Sequence, residues 1–292
     1  ALVAVLSLAA ACGGSSAPTA PTAPTQPADT FTPTSFVVDV KGTGRPVIFI
    51  PGLGSPGSVW DGTVAHLGGK YQTHVLTIAG FAGVPPVADW SYAKVHDELV
   101  HYIQAKHLDH PIVIGHSLGG VMTLWLAETN SADLGGIVDV DGLPFLAAVI
   151  DPSMTEAKAA EASQGMASAM TGQSQEEFAK GVRQFTNTMV TKPADQDMVA
   201  NASAKSDPKT FVAAFQQMFA KDLRPDLGKI TAKVTIVAAG TSQSPKPQLE
   251  AGWHTQIDAI KGADFHMVDD ARHFVMLDQP EKFYALVDGA LK

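Results

Sequence analysis

The sequence holds one cysteine, Cys12, in 292 residues. A single thiol excludes an internal disulfide and a cysteine zinc cluster. Positive charge is scarce too: 20 Lys and Arg stand against 29 Asp and Glu, a net charge of −9. Phosphate binding needs a basic surface, so this balance argues against a nucleic-acid partner. Charged residues reach only 17% and hydrophobic residues 45%, which excludes a globally disordered chain and allows a sizeable core. The length suits one large α/β domain or two small ones. No Gly-rich dinucleotide fingerprint and no phosphate loop occurs, so no cofactor is expected.

The apolar opening, ALVAVLSLAAA at 1–11, is too short to span a bilayer as a helix. It reads as the h-region of a secretion signal without its basic n-region. Cys12 follows three alanines and precedes Gly13-Gly14-Ser15-Ser16. That arrangement resembles a bacterial lipobox, although Leu is more usual than Ala9 three residues before the cysteine. The resemblance implies cleavage before Cys12, diacylglyceryl attachment to its thiol and export to the cell envelope. The other reading is an ordinary signal with an incidental cysteine. Residues 12–35, with the near-repeat APTAPTAPTQP, cannot bury enough apolar surface to fold and read as an extended tether. The folded body is expected over 36–292.

Within that body, short apolar runs alternate with helical periodicity. Strands are expected at 36–40, 47–50, 75–78, 111–114, 134–140, 234–238 and 265–268. Helices are expected at 91–107, 119–128, 250–260 and 280–291, with Ser91 capping the first. Wholly apolar strands between helices indicate a mostly parallel, doubly wound sheet of about seven or eight strands. From about 143 to 231 no strand pattern appears. Helices at 155–170, 175–189, 195–204 and 208–221, the last capped by Asp207 before Pro208, read as a cap inserted before the penultimate strand.

The chemistry centres on Gly115-His116-Ser117-Leu118-Gly119, between an expected strand and an expected helix. Strand, G-x-S-x-G and helix together make a nucleophile elbow. The two glycines let strand and helix pass closely, and the serine Oγ stands clear at a helix N-terminus, where dipole and N–H groups favour negative charge. From Phe36 onward the chain resembles the α/β-hydrolase family. There the first strong strand commonly ends in His-Gly; here it ends in Pro51-Gly52-Leu53-Gly54. The resemblance implies that the N–H groups of Leu53 and Leu118 form an oxyanion hole, Pro51 having none to donate. Ala271-Arg272-His273-Phe274, followed by Asp278-Gln279-Pro280, resembles the family's histidine loop and implies His273 as general base.

The acid departs from the family pattern. Most members carry Asp after the strand matching 234–238, where this chain has Gly240-Thr241-Ser242-Gln243-Ser244. Some relatives, certain haloalkane dehalogenases among them, place it after the strand preceding the cap. That implies Asp141, with Asp139 second, and Asp269 and Asp270 as further candidates. His116 is expected to point away from the reaction, His254 and His266 to be ordinary helix and strand residues, and His96, His101, His107 and His110 to form a solvated helix face.

Together these readings describe a serine esterase acting by acyl transfer on a small apolar ester. The same triad would serve C–C bond hydrolysis or perhydrolysis, and the fold alone would serve a non-catalytic binding protein. The methionines and phenylalanines of the expected cap, Met154, Met166, Met170, Met189, Met198 and Met218 with Phe178, Phe185, Phe211, Phe215 and Phe219, either face an apolar substrate or simply pack the cap onto the sheet.

Overall fold

The computed structural model describes residues 31–170, 172–241 and 244–292, so the signal and tether readings and Cys12 lie outside the described residues. The described residues form a seven-stranded sheet. Its strands are β1 (Phe36–Lys41), β2 (Pro46–Ile50), β3 (Gln72–Ile78), β4 (Ile112–His116), β5 (Gly136–Val140), β6 (Val234–Gly240) and β7 (Asp264–Asp269), in the order β1-β3-β2-β4-β5-β6-β7. β1 is antiparallel to β3; all other pairs are parallel.

Parity along each strand decides the two layers, since successive side chains leave opposite faces. Val47 and Phe49 of β2 join Ile112 and Ile114 of β4 in one apolar layer, while Ile48 and Ile50 join Val113 in the other. All five residues of β2, β4 and β5 are buried, as continuous apolar strands at the centre of a parallel sheet must be.

The helices before the insert are α1 (Asp61–Leu67), α2 (Tyr92–Ala105) and α3 (Leu118–Asn130). Ser91 caps α2 by accepting the Lys94 N–H at 3.0 Å, and Val95, Leu99, Tyr102 and Ile103 are buried as their spacing requires. α1 is missing from the sequence reading. At seven residues it buries only Thr63 and Leu67 and shows too little periodicity to stand out. It is positioned by Trp60, whose ring lies 5.4 Å from Phe49 and 6.1 Å from Phe283.

Between β5 and β6 the described residues contain no strand. They form α4 (Glu156–Met170), α5 (Gln175–Met189), α6 (Pro193–Ser203) and α7 (Pro208–Ala220). Asp207 caps α7 through Thr210 N at 2.8 Å with Pro208 at its first position. The chain closes with α8 (Lys246–Ile257), α9 (Val275–Asp278) and α10 (Pro280–Ala290). α8 starts four residues before the expected 250, because Pro247 falls in its first turn, where a missing N–H leaves no bond unmade. Among the described residues no helix is long and apolar enough to cross a membrane.

Candidate active site

The parallel strands all end on one edge, and the chain leaving β2, β4, β5, β6 and β7 there contributes Leu53, Ser117, Asp141, Thr241 and His273 to one cavity of about 500 Å³. Such an edge is where open α/β sheets bind ligands. The helical insert supplies the facing wall, with Val182, Phe185 and Met189 from α5, Val199 from α6, and Phe211, Phe215 and Met218 from α7.

Ser117 sits between β4 and α3 with φ 55° and ψ −116°, a strained conformation for a residue with a side chain. Its N–H donates to Val140 O at 2.8 Å and its carbonyl accepts from Val121 N at 2.9 Å, so strand and helix fix it from both sides. The flanking glycines are sterically required. A Cβ on Gly115 would lie 2.0 Å from Gly119 O, and one on Gly119 would lie 2.3 Å from Ile50 O. The latter contact presses the start of α3 against the loop leaving β2. In that loop Gly52 O accepts Ser55 N–H at 3.0 Å, a turn in which the Leu53 N–H takes no part. Leu118 opens α3, where the first N–H groups have no intrahelical acceptor. The Tyr92 hydroxyl donates to Leu118 O at 2.7 Å and steadies that end.

His273 Nδ1 lies 2.6 Å from Asp141 Oδ2. The other oxygen of Asp141 accepts Ala239 N–H at 2.9 Å, and the Asp141 N–H donates to Val237 O at 2.9 Å, which ties this carboxylate to β6. The other carboxylates go elsewhere. Asp139 is fully buried and accepts Gly142 N–H at 2.9 Å; burial pushes its carboxyl well above the usual range. A Cβ on Gly120 would meet Asp139 Oδ1 at 2.0 Å, so α3 packs directly onto that acid. Asp269 and Asp270 are both exposed; the Asp269 carboxylate pairs with Lys246 at 2.9 Å, and the Asp270 backbone carbonyl accepts from Gln279 at 2.9 Å.

His116 is buried against the site. Its ring centroid is 4.6 Å from that of His273 and 4.4 Å from that of Phe274, and its Nε2 lies 3.0 Å from the His273 carbonyl. Burial, reinforced by His273, holds its pKa well below the usual histidine value, so it is neutral. Its Nε2 is therefore the protonated donor to His273 O.

His254 and His266 are side chains on α8 and β7 paired with Asp258 and Asp264. The expected solvated histidine face needs correction at His96. That ring is buried, stacks on Trp125 at 4.3 Å, and lies 3.0 Å from Thr129 Oγ1. Trp125 comes from another helix, so the 91–107 pattern carried no sign of it. Among the described residues no group of three or more His, Cys, Asp or Glu is arranged to hold a metal ion.

Of the aromatic and methionine side chains of the insert, Phe185, Phe211, Phe215, Met189 and Met218 face the cavity, whereas Phe219 and Met154 pack with Phe145 away from it. The set is thus divided between the cavity wall and the packing beneath it. The sequence reading missed Arg272, Leu249 and Trp253 as lining residues. The last two lie four apart on α8, a spacing that fixed their shared face but not what it faced.

Comparison with known proteins agrees with this architecture. The model of the Alpha/beta hydrolase family matches residues 47–286. The chain is 25% identical over 199 residues to a pimeloyl-[acyl-carrier protein] methyl ester esterase of Vibrio atlanticus (strain LGP32), covering 66% of this chain and 74% of that protein. Among solved structures it is similar to a thermophilic esterase from Thermogutta terrifontis (TM-score 0.73, 18% identity, 90% of this chain and 96% of the other). It is equally similar in shape to the enol-lactonase from Burkholderia xenovorans LB400 (TM-score 0.72, 15% identity, 88% and 96%). The family match spans most of the folded body, including both ends of the site, and this chain belongs to the alpha/beta hydrolase family.

Proposed function

We propose that this protein is a serine esterase for uncharged, apolar acyl groups, with Ser117 as nucleophile, His273 as general base and Asp141 as the acid that orients it. The observation that carries the reading is the 2.6 Å contact between Asp141 and His273 Nδ1, opening on the same cavity as the strained Ser117. With Nδ1 engaged, Nε2 is left as the nitrogen able to accept the serine proton. Oγ then attacks the ester carbonyl, and the N–H groups of Leu53 and Leu118 receive the oxyanion. The imidazolium returns its proton to the leaving alcohol, and water, activated by the same ring, hydrolyses the acyl-enzyme to free acid and serine.

Several features support an ester of neutral character. Arg272 is the cationic side chain on the cavity wall, and its Nη1 is already donated to Asn187 O and Val190 O, which directs that nitrogen to the end of α5 and away from a substrate. The remaining wall is mainly aliphatic and aromatic, and α5 to α7 act in this reading as the cap. The names of the similar proteins, a methyl ester esterase, an esterase and an enol-lactonase, fit the same reaction class.

Hydrolysis of p-nitrophenyl esters together with fluorophosphonate labelling tests the reading. Labelled wild type with an inert, unlabelled Ser117→Ala variant is expected. No labelling of the folded protein, with turnover equal in both, would replace it with a binding role. Export and anchoring through a lipidated Cys12, with 12–35 as tether, complete the proposal on the strength of the sequence around Cys12. Mass spectrometry of the mature N-terminus in a bacterial host checks it: an unmodified thiol rejects the anchor.

A further inference from the structure

The loop carrying His273 is held by the helical insert as well as by the sheet. Asp278, buried at the end of α9, uses both oxygens: Oδ2 accepts the Arg272 N–H at 2.8 Å, and Oδ1 accepts the Thr191 N–H at 2.8 Å. Arg272 precedes His273, while Thr191 belongs to the turn between α5 and α6. The Arg272 guanidinium reaches across to the same turn, donating to Val190 O at 3.0 Å and Asn187 O at 3.2 Å. These carbonyls lie at the end of α5, where backbone acceptors lack helical partners and a cation is favoured. On the other side of His273, Phe274 N–H donates to Met189 O at 3.3 Å. Both neighbours of His273 are thus fastened to residues 187–191. α5 itself presents Val182, Phe185 and Met189 to the cavity.

We infer that Arg272 and Asp278 are positioning residues that make the placement of the His273 ring depend on helix α5, so that one wall of the acyl cavity and the base move as a unit. The inference rests on the reading of His273 as general base. The contacts are charge-assisted hydrogen bonds to backbone groups, which hold geometry more tightly than neutral ones. Displacing a catalytic group by about 1 Å costs on the order of 10²-fold in rate.

The test uses Arg272→Met, which keeps the apolar stem, Arg272→Lys, which restores a cationic donor, and Asp278→Asn, which can accept at only one of two positions. Three quantities are read: kcat and KM for p-nitrophenyl butyrate, the thermal midpoint, and the downfield proton resonance between His273 Nδ1 and Asp141. Expected for Arg272→Met and Asp278→Asn are a loss of kcat of about 10–100-fold, KM within about threefold, and a shifted or broadened resonance. Arg272→Lys should recover part of the kcat. A strap that serves folding alone would lower the thermal midpoint while leaving kcat of the folded protein and the resonance as in wild type, and that result overturns the inference. Should the wild type lack Ser117-dependent turnover, the esterase reading fails separately. The resonance still decides whether the latch holds the ring: unchanged in all three variants, it overturns the latch.

Discussion

Asp139 of β5 and Asp141, just past the end of that strand, are separated by one residue, yet only Asp141 touches the His273 ring. Strict alternation would send both side chains to the same face. The chain instead turns at Asp141, where φ is 56°, and swings that carboxylate toward the loop after β7. Asp139 stays under α3, bonded to Gly142 N–H, with burial pushing its carboxyl well above the usual range.

The two acids should therefore respond differently to the same substitution. If the proposed mechanism holds, Asp141→Asn is expected to lower kcat by about 10³–10⁴ with the fold retained, since the amide would no longer stabilise the imidazolium or select its tautomer. Asp139→Asn keeps the acceptor for Gly142 and is expected to leave kcat within about tenfold. Steady-state kinetics beside circular dichroism check both; wild-type turnover in Asp141→Asn would move the acid elsewhere.

Gly119→Ala should be severe although it adds one methyl. The new Cβ would fall 2.3 Å from Ile50 O and 2.8 Å from Pro51 O, which are backbone atoms and cannot rotate aside. Overpacking of this kind costs about 1–3 kcal/mol or more. Urea denaturation would record it as a lowered midpoint, together with weaker turnover because the loop leaving β2 must retreat.

Acid should weaken the fold in a defined window through His74. This ring is buried, lies 2.8 Å from the Tyr102 hydroxyl and 3.1 Å from Gln72 Oε1, and burial lowers its pKa from 6.5 to about 4. The unfolded chain binds the proton more readily, so the neutral ring contributes full stability above pH 6.5 and loses it as pH falls toward 4. Denaturation midpoints measured across this range should decline in the wild type and decline less in His74→Gln.

Glu128 carries the opposite dependence. Burial, with help from Asp226, raises its pKa from 4.5 to about 7, and its Oε1 has no hydrogen-bond partner among the described residues. Its contribution is intact below 4.5 and is lost as pH rises through about 7. Glu128→Gln should accordingly stabilise the protein at pH 8 by about 1 kcal/mol, the partial exposure of the side chain trimming the effect. Equal unfolding free energies for the two proteins at pH 8 would contradict this.

Local grammar made much of the fold legible. Val47 to Ile50 and Ile112 to Ile114 show their burial on both faces in the letters themselves, and the caps Ser91 and Asp207 mark their helices because capping is decided within three residues. Ser117 was legible for the same reason, as its strain is set by the glycines beside it. The contact of Asp141 with His273 was approached only through a family pattern, since no local rule distinguishes it from Asp139. What could not be read were associations across distant stretches: His96 against Trp125, Arg272 against the carbonyls ending α5, and the shared carboxylate of Asp278. Each depends on how layers dock, and no periodicity encodes the neighbour's identity.

The cavity has contributors from Gly52 near the start of the folded body to Phe274 near its end. No contiguous fragment owns it. A polypeptide without the loop after β7 lacks the Arg272, His273 and Phe274 portion of the cavity wall. Affinity for a ligand should therefore depend on that loop being joined to the rest, and a proteolytic nick that releases it should abolish binding in one step.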